Sequence, residues 1–419
     1  MQDASDTACA LYDEALLHAR QASALAPASA QAHRLGATLL REKGELEAAH
    51  EAFAEAYARA PDDPDIAADY ASSLQSIEGA QSARRVYDEA LAKHPGHAAL
   101  HAGYALTLLG AADYARGWEE YEWRLKVPEA RIARPFPFPF PTWTGEALAG
   151  RTLFLSSEQG LGDEIMFASC FEELIGQAGH CVIEVSHRLA ALFRRSFPDA
   201  TVVERSLSKP HDWSRLPPID VHIAAGSVPR FLRRSPGAFP QHRGYLQPDP
   251  SSARRWGAAL ADLGPGLKVG LAWTGGLPGT LRAARSLPLA DLAPLLDTPA
   301  ASFVSLELAD PRTQLSALPP RLGSRIAWWP QAARNPDELA GLLCGLDVVI
   351  SVPTASAHLA GALGKPVWVL VPRVPTWRYL WSGERLPWYP SATVLRRMPK
   401  QSLQDYISIV ARRLEVLSS

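Results

Sequence analysis

The sequence predicts a helical repeat region followed by two α/β lobes built on parallel sheets. Three observations carry that class. Residues 1–127 repeat with a period of 34. From Arg151 onward, short β-branched apolar runs alternate with helical patterns, as strands of a parallel sheet alternate with their crossover helices. The 419 residues, 47% hydrophobic and 21% charged, suffice for two or three domains, each with its own core.

The repeat comes first. Pro27, Pro61 and Pro95 share one spacing with Ala37, Ala71 and Ala105, with Leu40, Leu74 and Leu108, and with Phe53, Tyr87 and Tyr121. Small residues at fixed points let paired helices approach, and stacking buries what one pair cannot. This pattern resembles the tetratricopeptide repeat (TPR), with a half repeat at residues 8–26 and three repeats after it, within 1–127. Residues 128–150 follow as a linker strap. Its alternating prolines and phenylalanines, Arg134 to Trp143, favour an extended chain and are expected to pin the repeats to the next domain.

The first lobe is predicted over 151–249. It opens with strand Thr152–Ser156, the turn Glu158–Glu164 and a helix to about Gly176, with later strands at 182–185, 200–203 and 221–224. A polar, proline-containing stretch at 247–252 separates it from the second lobe, 250–419. There strands are expected at 268–273, 302–306, 325–327, 348–351 and 367–371, and a terminal helix at 402–417. In such sheets ligands sit beyond the carboxyl ends of the strands.

Charge divides the chain. Residues 1–127 hold 11 basic and 20 acidic residues, a balance of −9; the remainder holds 31 and 24, or +7. The basic part is expected to handle an anionic ligand, although the excess is too diffuse for nucleic acid. Four scattered cysteines, no leader-like apolar stretch and no run of transmembrane length point to the cytoplasm. No metal-ligand spacing and no Walker loop occurs.

Three stretches could carry chemistry. In Gly160-Leu161-Gly162-Asp163-Glu164, the glycines allow a ligand close to the backbone, and Asp163 is either a helix cap or a general base. A nicotinamide fold would want a third glycine where Ile165 stands, although Glu184 lies at a ribose-binding distance in sequence. The loop 279–286 offers Arg282 and Arg285 to a diphosphate, or to solvent. The stretch Ile350–Trp368 reads as strand, turn, short helix and strand, with Thr354 or Ser356 capping an anion-binding helix start and His358 near it. His358 is equally a buried, hydrogen-bonded histidine. Beyond the next strand, Trp377 offers a stacking face or a core ring, and Arg378 a phosphate partner.

Taken together, "SSEQGLGDEIMF", "VGLAWTGG", "ARSLPL", "ISVPTASAHLAGALGKPVWVLVP", "TWRYL" and "PWYPS", after the repeats and "GWEEYEWR", resemble the bacterial TPR glycosyltransferases. Their catalytic half is similar to the heptosyltransferases. The resemblance implies a GT-B fold of two Rossmann-like lobes, acceptor on the first and nucleotide sugar on the second, without metal or cofactor. It implies Asp163 as catalytic base. The donor would meet Gly160, Gly162, Thr274, Arg282, Arg285, Ser286, Thr354, Ala355, Ser356, His358, Trp377 and Arg378. The acceptor would be a protein held in the TPR groove. Two positions depart from the family: Pro353 and Thr376 stand where aspartates are usual, which alters the expected sugar contacts. The competing class is a scaffold or binding protein on the same fold.

Overall fold

The structure is a computed structural model that describes residues 2–127, 136–276, 282–371, 375–398 and 400–418. It divides into two units. One holds the N-terminal helices together with residues 276–286 and 374–383; the other holds 131–275, 287–373 and 384–419.

The 34-residue period becomes helix pairs. Helix α1 spans Gln2–Leu25. The pairs are α2 (Ala30–Lys43) with α3 (Leu46–Arg59), α4 (Pro64–Ile77) with α5 (Ala80–Lys93), and α6 (Ala98–Gly110) with α7 (Tyr114–Tyr121). The first helix of each pair is capped from one repeat position. Ser29 Oγ accepts from Ala32, Asp63 Oδ1 from Ile66, and His97 Nδ1 from Leu100. The repeated alanines Ala37, Ala71 and Ala105 are fully buried, as are Leu108 and Phe53. An alanine at the crossing brings two helix axes close enough for those larger neighbours to fill the space around it.

The other unit carries two wholly parallel sheets. The first contains β1 (Thr152–Ser156), β2 (His180–Val185), β3 (Thr201–Glu204) and β4 (Val221–Ala224), in the order β3-β2-β1-β4. The second contains β5 (Leu267–Ala272), β6 (Ala301–Ser305), β7 (Ile326–Trp328), β8 (Val348–Ser351), β9 (Val367–Val371) and β10 (Ala392–Arg396), in the order β10-β9-β8-β5-β6-β7. Strands β8 and β9 are buried at every position, as their unbroken apolar sequences require of strands covered on both faces. In each sheet the chain order reverses beside the first strand, between β1 and β4 and between β5 and β8. Those reversals are the places where open α/β sheets leave a crevice.

Several expectations change. The helix expected to reach Gly176 breaks into α8 (Leu161–Phe167), a 3-10 turn at Ala168–Cys170 and a further helix, Phe171–Gln177. Within the stretch 247–252 a helix begins: Asp249 caps Pro250–Ala261, accepting from the Ser251 and Ser252 amides at 2.7 and 2.8 Å. The strap, as far as it lies within the described residues, packs on the first lobe. Trp143 donates to the His222 carbonyl at 2.8 Å and His222 donates to that of Pro141 at 3.0 Å, covering the edge of β4. Phe138 and Phe140 close over Trp213 and Phe154. Among the described residues no helix is long and apolar enough to cross a membrane.

Candidate active site

At the carboxyl edge of the first sheet, three glutamates are buried: Glu158, Glu164 and Glu184, at 4%, 3% and 1% exposure. Buried carboxylates need donors, and here loop backbones and neighbouring side chains supply them. Glu184 accepts from the Ser157 amide at 3.1 Å and from His211 Nε2 at 2.6 Å. Glu164 accepts from the Ser186 amide at 2.7 Å, with Arg205 at 3.7 Å from its other oxygen. These bonds tie together the loops after β1, β2 and β3. Glu184 thus serves as a brace, which leaves the ribose-binding reading without its acid. Gln159 sits at φ 60°, a left-handed conformation uncommon for a side chain of this kind, just before α8.

The cap of α8 is Gly160, which contributes no side chain, so Asp163 does not serve as the cap. It stands half-buried in the first helical turn, its amide donating to the Gly160 carbonyl at 2.9 Å.

In the second sheet, β8 ends at Ser351 and the chain turns through buried Pro353 into the helix Ala355–Ala362. Thr354 caps it: Oγ1 accepts from the Ala357 amide at 3.3 Å and lies 2.9 Å from Ser351 Oγ. A helix start leaves amide donors of its first turn without intrahelical acceptors, and Ala355 and Ser356 belong to that turn. His358 is 6% exposed, with Nδ1 3.0 Å from the Tyr389 hydroxyl. The buried, hydrogen-bonded alternative describes it. On the neighbouring β5, where Ala272 pairs with Ser351, the amides of Trp273 and Thr274 both donate to Glu307, at 2.8 and 2.9 Å. Sequence reasoning missed Glu307; an acid two residues beyond a buried strand was its only signal.

The two helix starts meet. A Cβ on Gly162 would lie 3.0 Å from His358 Cδ2 and 3.6 Å from the Ala355 Cα. Tyr245 braces the same crossing, its hydroxyl donating to the Ile165 carbonyl at 2.7 Å and its amide to that of Ala362 at 2.8 Å. Gly160, Gly162, Asp163, Thr354, Ala355, Ser356 and His358 are thus brought together, with Thr274 one strand away.

Arg282, Arg285, Ser286, Trp377 and Arg378 group with the N-terminal helices instead. Arg282–Arg285 form a single helical turn whose Ala283 and Ala284 lie against Gly44, the C-cap of α2. Trp377 is 3% exposed, with Trp118 and Tyr121 at ring distances of 5.6 and 5.7 Å and the Arg378 guanidinium 4.7 Å from its centroid. The ring is a core ring, so the expectation that it stacks on a ligand is corrected. The part of the arginine loop at Gly279–Leu281 lies outside the described residues.

No family model matches the chain. A curated relative, Protein FlbA of Caulobacter vibrioides, is 35% identical over 324 residues, covering 72% of this chain and 53% of that protein. The chain therefore spans about half the length of the curated relative it matches. Among solved structures, ADP-heptose LPS heptosyltransferase II of E. coli aligns with a TM-score of 0.44 at 14% identity, over 64% of this chain and 96% of that one. An O-GlcNAc transferase mutant of Thermobaculum terrenum aligns with a TM-score of 0.32 at 16% identity, over 96% and 89%.

Proposed function

We propose that the chain is a cytoplasmic glycosyltransferase of GT-B type, moving a sugar from a nucleotide-sugar donor to a hydroxyl of an acceptor. The observation that carries this reading is the meeting of the Asp163 turn with the Thr354-capped helix start. It brings the first turn of α8, which carries Asp163, against the first turn of the Thr354-capped helix, near the carboxyl edges of two parallel sheets.

Asp163 takes the proton of the acceptor hydroxyl as that oxygen bonds to the sugar's anomeric carbon. The bond from that carbon to the diphosphate oxygen breaks, and the helix start receives the charge that develops on the leaving group. The fixed dipole of the helix start thereby does the work in a metal-independent reaction. The acceptor is a protein chosen by the helix pairs, read as a TPR array.

Pro353 favours a second reading. A buried proline offers no charge to a sugar hydroxyl, and a scaffold that keeps only nucleotide affinity would tolerate it.

A thermal-shift panel of nucleotide sugars against the bare nucleoside diphosphates separates the two. A bound donor at 100 times its dissociation constant stabilises the protein by about 2.7 kcal/mol. The enzyme reading expects at least one nucleotide sugar to exceed its bare diphosphate. Equal shifts throughout, with no transfer or hydrolysis, would leave the scaffold.

A further inference from the structure

His358 stands in the first turn of the helix Ala355–Ala362, and Tyr389 grips one edge of its ring. Nδ1 lies 3.0 Å from the Tyr389 hydroxyl, and the two rings meet edge to face at 65°. Position 361 has to be glycine for this, because a Cβ there would overlap the Tyr389 ring. The Tyr389 hydroxyl also hydrogen-bonds that of Tyr245. Tyr245 in turn donates to the Ile165 carbonyl of α8 at 2.7 Å. All four residues are buried.

The direction of this chain of bonds follows from its end. A carbonyl oxygen only accepts, so the single hydroxyl proton of Tyr245 goes to Ile165. Burial pushes the Tyr245 hydroxyl far above its ordinary pKa, so it keeps that proton. Its oxygen then accepts from Tyr389, and the Tyr389 oxygen accepts from His358. His358 therefore carries a proton on Nδ1, and in the neutral ring the lone pair is left on Nε2. Nε2 is bonded to Cδ2, the ring atom nearest to a Cβ placed on Gly162, at 3.0 Å, with Cγ at 3.7 Å. The lone-pair edge of the ring thus borders the first turn of α8, which carries Asp163.

We infer that Tyr389 is a positioning residue: it holds neutral His358 as the Nδ1–H tautomer, so that Nε2 is a hydrogen-bond acceptor where the two helix starts meet. Such a nitrogen suits a hydroxyl of the donor sugar. It does not suit the ionised diphosphate, which has no proton to offer. The inference rests on the proposed use of that meeting point for the nucleotide-sugar donor.

Two readouts on the full chain test this. In protein labelled at its histidine nitrogens, at about pH 8 and so above the ordinary histidine range, long-range proton–nitrogen correlation shows which ring nitrogen is protonated. His358→Gln assigns the signal. Wild type is expected to show the Nδ1–H tautomer, and Tyr389→Phe, which removes the acceptor at Nδ1, to lose that preference. Tyr245→Phe should also move the ring towards Nε2–H, because it releases the Tyr389 proton to Nδ1; it decides if Tyr389→Phe does not fold. A wild-type ring protonated on Nε2, or Nδ1–H kept in the folded variants, would overturn the inference and leave the donor reading standing.

The second readout is calorimetric titration with UDP-N-acetylglucosamine, GDP-mannose and ADP-heptose, each beside its bare diphosphate. For a nucleotide sugar that wild type binds, Tyr389→Phe should raise the dissociation constant by about tenfold, and that of the bare diphosphate by less than about twofold. Tyr245→Phe, if it is the variant that folds, is read the same way. A merely structural tyrosine would weaken both ligands alike, and that result would overturn the hydroxyl role. Wild type that binds none of the three sugars or their diphosphates would overturn the donor reading, with the tautomer still decided by the first readout.

Discussion

At Gly162 a hydrogen in place of a side chain decides how closely α8 and the Ala355 helix approach. A Cβ there would already touch His358 Cδ2 at 3.0 Å, and the methyls of valine would drive further into the first turn. Gly162→Val is expected to cost about 1–3 kcal/mol of stability, read as a lower denaturant midpoint. Gly176 is exposed and a Cβ there would meet nothing within 4 Å, so Gly176→Val should stay within about 0.5 kcal/mol of wild type. Equal losses at the two positions would mean the helix starts are not in contact. Residue type alone was enough to single out Asp163 and Thr354, because a turn after a strand and a hydroxyl before a helix are local signals. It was not enough for Trp377 or Glu184. Whether an aromatic face or a carboxylate is already occupied depends on partners such as Trp118 and His211, which only folding brings near.

Among the elements, the connection between the two sheets carries a titrating group. His242 Nε2 lies 3.0 Å from the Trp388 carbonyl, and the Gly244 amide donates to Nδ1 at 3.2 Å. That pattern fixes a neutral ring with its proton on Nε2. Burial lowers its pKa, and Arg233 adds to that; the Trp388 carbonyl and Glu172 oppose it without reversing it. A histidine depressed in the fold binds fewer protons folded than unfolded. Its contribution is therefore complete above about pH 6.5 and is lost as pH falls through the window below. Melting temperatures from about pH 7.5 down to about pH 5 should fall more steeply for wild type than for His242→Gln. Parallel curves would assign the acid sensitivity elsewhere. Element boundaries were legible where the local code was unambiguous, as at Val221–Ala224 and Val348–Ser351. The helix Pro250–Ala261 goes unannounced although Asp249 and Pro250 form an ordinary cap and first turn, because the polar, proline-containing stretch that opens it reads as a boundary between lobes. Strand β10 pairs in parallel with β9, and nothing in its own five residues announces that partner.

At the scale of the whole molecule, chain order suggested modules in series, with repeats ending at residue 127 and lobes following. The 34-residue period was fully legible, since each repeat reports its own contacts through alanine, leucine and aromatic positions. Allegiance across the chain was not. Residues 276–286 and 374–383 leave the carboxyl ends of β5 and β9 and fold with the helices, through contacts such as Trp381 with Gly110 that span most of the sequence. The central claim remains the chemistry at Asp163, and one measurement tests it most directly. Nucleoside diphosphate released from the preferred nucleotide sugar, with acceptor present, is compared between wild type and Asp163→Asn. The account predicts turnover lower by about 10²–10⁴-fold, with donor affinity changed by less than about 1 kcal/mol. Near-normal release by a folded, donor-binding Asp163→Asn protein would contradict it.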